Sequence, residues 1–245
     1  MGLLVQEQGR LRIRLAEDER DVDAALRLRF RVFNVELGEG LSSSWATGRD
    51  EDGLDAQFHH LIVEDMPSRD VIGTYRIQTR EMAEAGRGFY SADEFDLTAI
   101  PPAILDDAVE LGRACIDRAH RNRQVLFLLW KGLAAYLAAH DKRYLFGCSS
   151  ITSQDPAQGI AAYAELQRRG HLHPTIRVNP QPACVCEAGG GTATVRIPIL
   201  FETYLRFGGT VLGPPALDRR FQTIDFLTWL DTATLDATVR RMFFV

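Results

Sequence analysis

Apolar positions in this chain alternate with polar ones in some stretches and recur every three or four residues in others, and these two periods divide it into elements. Leu11, Ile13 and Leu15 alternate with Arg12 and Arg14, which predicts a half-exposed first strand. Over residues 17–37 the spacing turns helical, with Val22, Leu26, Phe30, Phe33 and Leu37 on one side. Residues 38–57 are polar, with Ser42-Ser43-Ser44 and the acids Asp50, Glu51, Asp52 and Asp55, and predict a loop long enough to be functional or mobile. Residues 60–65 and 71–79 predict an antiparallel hairpin, and residues 86–102 an irregular connection. A strand over 109–116, an apolar helix over 124–140 and a short strand over 144–148 follow. A helix over 156–170 begins at Pro156 and ends at Gly170, the expected asymmetry. A helix over 198–207 and a closing strand over 221–230 complete the order, and Gly189 to Gly191 read as a loop. The order predicts an α/β fold, a mixed sheet with helices on both faces, as a single domain over 11–230 with a tail over 231–245.

Composition narrows the class. The chain has 245 residues, 46% hydrophobic and 25% charged, ordinary values for a globular protein. Its net charge of −5 argues against a nucleic-acid binder. The cations are nearly all arginines, Lys131 and Lys142 being the exceptions. Leu3-Leu4-Val5 is cut short by Glu7, so no signal peptide is expected, and no stretch approaches the roughly 20 apolar residues of a spanning helix. Cys115, Cys148, Cys184 and Cys186 form no disulfide framework and read as reduced thiols, so a cytoplasmic location is expected.

Several motifs stand in a fixed order: Leu28-Arg29-Phe30-Arg31-Val32-Phe33 before the acidic loop, Phe58-His59-His60-Leu61-Ile62-Val63, Val71-Ile72-Gly73-Thr74-Tyr75-Arg76, Gly88-Phe89-Tyr90-Ser91 and Glu94-Phe95-Asp96-Leu97. Glu110-Leu111-Gly112-Arg113 and Tyr144-Leu145-Phe146-Gly147-Cys148-Ser149-Ser150 follow. Together they resemble the ornithine N-acyltransferases that use acyl carrier protein, the lyso-ornithine-lipid synthases and hemolysin-like proteins of the GNAT superfamily. N-acyl amino acid synthases and acyl-homoserine-lactone synthases are more distant relatives of the pattern. The resemblance covers residues 11–230 and implies a mostly antiparallel GNAT sheet. It also implies transfer of a long 3-hydroxyacyl chain to the α-amine of an amino acid, most simply ornithine. Coenzyme A-dependent members of the fold carry a glycine-rich turn for the pyrophosphate. Here the turn Ala119-His120-Arg121-Asn122-Arg123-Gln124 has no glycine, which fits a carrier-protein donor and no separate cofactor.

Amide formation from a thioester needs a neutral amine, a polarised carbonyl and a stabilised oxyanion. Glu110 sits between apolar Val109 and Leu111 and is the candidate base or acceptor-orienting group; the plain alternative is a buried partner for Arg76 or Arg113. Arg76 and Arg113 are candidates to bind the acceptor carboxylate or to neutralise the acids around them. Strict alternation puts Glu110 and Arg113 on opposite faces unless Gly112 marks a bulge. In the family's pattern the first helix and the loop after it cover the acceptor. Arg29, Phe33, Asp50, Asp52, Asp55 and His60 are therefore acceptor-site candidates, with the acids drawing in a cationic amino acid. Core packing for Phe33, a solvated loop for the acids and a structural hydrogen bond for His60 are the plainer readings. Arg118, His120, Arg121 and Arg123 form a basic cluster suited to the acidic carrier protein and its phosphate, with no acid between Arg118 and Lys131. Phe127, Leu128, Trp130, Leu133 and Phe146 are candidates for the acyl lining, and Ser149 and Ser150 for the end of the donor tunnel.

Other classes fit less well. His171-x-His173 with Cys184-x-Cys186 departs from structural zinc spacing, so no metal is expected. A signal synthase using S-adenosylmethionine is disfavoured because Trp45 lies far down the loop. N-acyl transfer to another acceptor, such as glycine or an aromatic amino acid, and a non-catalytic hemolysin-like lipid binder are the alternatives. The last would not need Glu110, Arg76 and Arg113 together. The terminal Arg240-Arg241-Met242-Phe243-Phe244-Val245 suits peripheral contact with an anionic membrane, or else a clamp folded back onto the domain.

Overall fold

In the computed structural model, which describes residues 6–187 and 195–244, the chain runs in order through β1 (Gln6–Gln8), β2 (Leu11–Leu15), α1 (Glu19–Phe30), α2 (Ser44–Thr47), β3 (His59–Asp65), β4 (Asp70–Thr79), α3 (Arg80–Ala85) and α4 (Pro102–Asp106). It continues through β5 (Ala108–Ile116), α5 (Arg123–Ala139), β6 (Tyr144–Ile151), α6 (Pro156–Arg168), α7 (Ile199–Arg206), β7 (Thr210–Val211), β8 (Ala216–Asp218), β9 (Thr223–Asp231) and α8 (Ala237–Phe243). The glycine loop at Gly189 to Gly191, Leu3 to Val5 and Val245 lie outside the described residues.

Local chemistry sets the helix starts. The Asp18 carboxylate accepts from the Arg20 and Asp21 amides at the start of α1, and the Asn122 side chain accepts from Gln124 and Val125 at the start of α5. Asp155 does the same for α6, with Pro156 in the first position. Beyond α1 the helix widens into a π-helical turn (Arg31–Leu37), which stops at Gly38 in the left-handed conformation, φ 70°.

The strands form one sheet in the order β1-β2-β3-β4-β5-β6-β9-β7, with β8 also paired to β9. Neighbouring strands are antiparallel throughout except for β5 and β6, which are parallel. That parallel pairing covers only Ala108–Glu110 against Tyr144–Phe146, after which the two strands part. A Cβ on Gly147 would collide with the Leu111 carbonyl, so the parting begins where only glycine fits.

Alternation along the strands assigns two faces. Ile13, Leu61, Tyr75, Val109, Leu145 and Leu230 pack under α5, whose Gly132 lets the helix close onto Ile13 and Leu61. Ile62, Val71 and Cys115 on the opposite face pack under α1 through Ala25, Leu28 and Val32. The tail is part of the first layer. Val239 and Phe243 of α8 are buried there, and the Phe243 ring lies 4.9 Å from Phe127 and 5.5 Å from Trp130. The expectation of a terminal aromatic pair exposed for a membrane therefore fails at Phe243 because its ring is core. Among the described residues no helix is long and apolar enough to cross a membrane.

Candidate active site

A bulge brings the charged residues of β4 and β5 together. Gln78 pairs with Glu110 and Arg76 with Gly112, but Thr74 pairs with Cys115, so β5 holds one residue more than β4. Arg113 sits in that bulge at φ 50° and shares the acid loop with Arg76. Strict alternation, which would place Glu110 and Arg113 on opposite faces, is broken there.

The acid loop folds back onto these arginines. Asp50 lies 2.7 Å from Arg29 and 3.1 Å from Arg113. Asp55 lies 2.6 Å from Arg29 and 3.1 Å from Arg76, and Asp52 bridges Arg76 at 2.8 Å and Arg113 at 3.3 Å. Burial pushes the carboxyls of Asp50 and Asp55 up, and the surrounding arginines more than offset this, holding both below the ordinary carboxylate range. Asp50, Asp52 and Asp55 are thus not a solvated loop, and Asp52 also lines the cavity described below. They form an ion network with Arg29, Arg76 and Arg113 in which, among the described residues, Asp50 Oδ1 and Arg76 Nε and Nη2 have no partner.

Glu110 pairs with neither Arg76 nor Arg113. Its Oε1 accepts from the Ser91 amide at 2.7 Å and the Ser91 hydroxyl at 2.6 Å, and its Oε2 accepts from the Tyr90 amide at 3.0 Å and Gln78 Nε2 at 2.6 Å. These donors tie the segment around Tyr90 to β5. Burial raises the Glu110 pKa against the pull of these bonds. His60 bonds to the Asp55 carbonyl at 3.1 Å through Nε2, and burial lowers its pKa, so it stands neutral beside the network. Phe33 is core, its ring 5.3 Å from Phe221.

Two openings meet at Arg113. On the α1 side lies a cavity of about 370 Å³ walled by Leu54, Phe89, Tyr90, Arg113 and Leu217. Its charged lining mixes Arg87, Arg113, Arg219 and Arg220 with Asp52, Asp93, Glu94 and Asp218. Where β5 and β6 part, a slot of about 60 Å³ runs past Tyr75, Leu111, Trp130, Phe146, Cys148 and Ser149. Arg113 lines both. Its guanidinium lies 4.0 Å from the Phe221 ring centroid and 5.1 Å from that of Tyr90.

Of the donor-site candidates, Trp130, Phe146 and Ser149 line the slot, and Thr228 donates to the Ser149 hydroxyl at 2.9 Å. Phe127 does not line it; that ring stacks on Phe243 instead, because α8 covers this side of α5. Arg118, Arg121 and Arg123 are exposed around the start of α5, but Arg121 is held by Glu36 at 2.6 Å. No acid interrupts the cluster in sequence, yet the π-helical turn brings one to it in space.

Glu94, Cys148 and Asp225 were not singled out as site candidates. One ligand atom from each lies within 4.8 Å of the others. Both carboxyls are buried, and among the described residues no donor other than the Asp225 carboxyl reaches a Glu94 oxygen. Burial and the neighbouring Asp225 push the Glu94 pKa well up, and burial with Asp218 raises Asp225 to about 6. A usable signal was present in sequence, since Asp225 interrupts the apolar run Ile224 to Leu227 much as Glu110 interrupts its own strand.

A splayed parallel strand pair between two openings, under helices on both faces, defines a GNAT acyltransferase. The acetyltransferase (GNAT) domain model matches residues 28–131. The chain belongs to the L-ornithine Nα-acyltransferase family. It is 31% identical to that enzyme of Brucella abortus over 243 residues, 91% of this chain and 85% of the relative. It is 33% identical to that of Rhodobacter capsulatus over 245 residues, 94% and 93% of the two chains. Among solved structures the AHL synthase LasI superposes with a TM-score of 0.52 at 13% identity, covering 97% of this chain and 96% of the other. FeeM, an N-acyl amino acid synthase from uncultured soil microbes, gives 0.52 at 12% identity, covering 93% and 95%. Both share the fold with this acyltransferase.

Proposed function

We propose that the protein transfers a long 3-hydroxyacyl chain from acyl carrier protein to the α-amine of ornithine, giving a lyso-ornithine lipid. The observation that carries this reading is the pair of openings joined at Arg113. One is a charge-mixed cavity that suits an amino acid with a carboxylate and two ammonium groups, and the other is an apolar slot that suits a thioester. The names of the relatives at 31% and 33% identity support ornithine as the acceptor. Glycine or an aromatic amino acid lacks the second ammonium group that Asp93 and Asp218 in this wall suit.

The start of α5 supports a carrier-protein donor. The Gln124 and Val125 amides there are already taken by the Asn122 side chain, and the turn has no glycine. These amides are therefore not free to cradle a pyrophosphate, whereas a carrier protein brings a single phosphodiester and docks by charge on Arg118 and Arg123. In the slot the thioester carbonyl lies across the sheet from the acceptor, and the amine reaches it past Arg113 and Cys148. The released amphiphile leaves toward a bilayer, so contact with an anionic membrane surface belongs to the same reading.

The test is mass spectrometry of the purified protein incubated with 3-hydroxyacyl carrier protein and an equimolar mixture of amino acids. Acyl-ornithine as the main amide is expected. A different acyl amino acid, or none, overturns the reading.

A further inference from the structure

Glu94 and Asp225 are placed as a working acid pair would be. Glu94 follows the single turn Tyr90–Asp93 and lines the acceptor cavity; it is 4% exposed, and among the described residues no donor other than the Asp225 carboxyl reaches its oxygens. Asp225 stands on β9 opposite Ser150, is 3% exposed and leaves Oδ1 unpartnered. Cys148, within the same 4.8 Å group, lines the donor slot. Glu94 thus faces one opening and Cys148 the other, with Asp225 packed against both and lining neither.

The other titratable groups that act on the pair give little neutralisation. Asp218 on β8 adds negative charge, Cys184 near the cavity rim is a neutral thiol because burial raises it, and the buried Glu39 also feels Asp225. Cys148 and Tyr90 stand protonated, since burial raises both. Arg113 is committed to Asp50 and Asp52, and Arg219 donates to the Ala183 carbonyl. Two buried carboxyls this close hold a shared proton or a cation between them. Glu110 is no substitute, because four donors fill its two oxygens.

We propose that the Glu94–Asp225 carboxyl pair receives the α-ammonium group of the acceptor at the gap between β5 and β6 and takes its proton. This rests on the acyl-transfer reading above. The N–H bond breaks and the proton passes to a carboxylate oxygen. The neutral nitrogen then bonds to the thioester carbon, and the C–S bond breaks with its electron pair going to sulfur. A second proton from nitrogen converts the thiolate to the thiol, and the pair returns the first to solvent. The position beside Cys148, on the slot wall, favours the reacting amine over the side-chain amine as the group held.

The test compares wild type, Glu94→Gln and Asp225→Asn by thiol release from 3-hydroxyacyl carrier protein across a pH series, with ornithine and with norvaline, which lacks the side-chain amine. The wild-type kcat/KM is expected to show an acid limb with either acceptor. Each variant is expected to lose about 10²- to 10⁴-fold near neutral pH, with the deficit shrinking as alkali supplies free amine, and Glu94→Asp to restore part of the limb. Four results overturn the proposal: a wild type without an acid limb, folded variants at wild-type turnover, a deficit that does not change with pH, or a deficit confined to ornithine, which would assign the pair to the side-chain ammonium. The first of these needs no variant, so it stands even where a variant fails to fold. A wild type that makes no acyl-ornithine defeats the substrate reading instead, and is distinguished by product analysis of the wild type alone.

Discussion

Two kinds of buried carboxyl lie close together here, and they respond to pH with opposite sign. Asp50 and Asp55 are held below the ordinary range by Arg29, Arg76 and Arg113, so their stabilisation is present above the unfolded value of about 3.9 and is lost as pH falls through the folded value. Glu94 and Asp225 are raised. Their neutral forms are tolerated in the fold, so stability is complete below the unfolded values of about 4 and falls as pH rises, through about 6 for Asp225. Glu94→Gln, which cannot ionise, should melt with the wild type at about pH 5 and above it at about pH 8. Differential scanning calorimetry at the two pH values decides; a variant that melts below wild type at both would show that Glu94 is structurally paired.

At the scale of elements, the long periodic segments were legible in the sequence and the short or bent ones were not. The helix of Val125, Leu129 and Leu133 and the hairpin of Ile62 and Ile77 follow from spacing alone, because burial of one face imposes a period on the side chains. β1, β7 and β8 are too short to show a period, and α3 and all of α4 but Pro102 fall in short stretches to which spacing assigned no element. The candidate site was half legible. Arg29, Asp50, Asp52, Asp55, Arg76 and Arg113 were named, but their mutual pairing depends on a loop fold and a bulge that spacing does not encode. Glu94 opens the motif Glu94-Phe95-Asp96-Leu97 in a stretch read as an irregular connection, and nothing in sequence links it to Asp225 on a distant strand. The strand pair β5–β6 gives a test at this scale. Gly147→Ala places a methyl group against the Leu111 backbone carbonyl, which no side-chain movement relieves. A loss of about 1–3 kcal/mol in stability is expected from such overpacking, with a larger fall in acyl transfer as the slot changes width. Denaturant titration and thiol release measure the two effects, and an unchanged rate would separate the slot from the transfer step.

For the whole molecule, Arg113 stands in both openings of the sheet, and in the proposed reaction the amino acid enters on the α1 side and the thioester through the gap. In that proposal the carrier protein approaches the start of α5. Because Arg121 is held by Glu36, the exposed Arg118 and Arg123 are the better probes of docking. Reversing both to Glu should weaken use of acyl carrier protein more than use of a short pantetheine thioester, and the difference should fade as salt rises. Equal losses with both donors, followed by kcat/KM at low and high salt, would place these arginines outside the docking surface.

The tail completes the molecule and separates packing from membrane contact. Phe243 lies against Phe127, Trp130 and Phe207, with ring centroids 4.9, 5.5 and 5.6 Å away. Phe243→Ala should therefore cost about 3–5 kcal/mol, the range for emptying an aromatic site in a core. Cutting the chain at Thr238 would remove the same ring and so could not report on membranes by itself. Arg240 and Arg241 are exposed on the other side of α8, beside an exposed Met242. Reversing both arginines to Glu should leave the melting temperature unchanged and reduce flotation with anionic vesicles, because each basic residue near such a surface contributes about 1 kcal/mol of attraction. Raising salt should remove the wild-type flotation in the same way. If the reversed variant floats as well as wild type at low salt, α8 serves the core alone and the product reaches the bilayer from another surface.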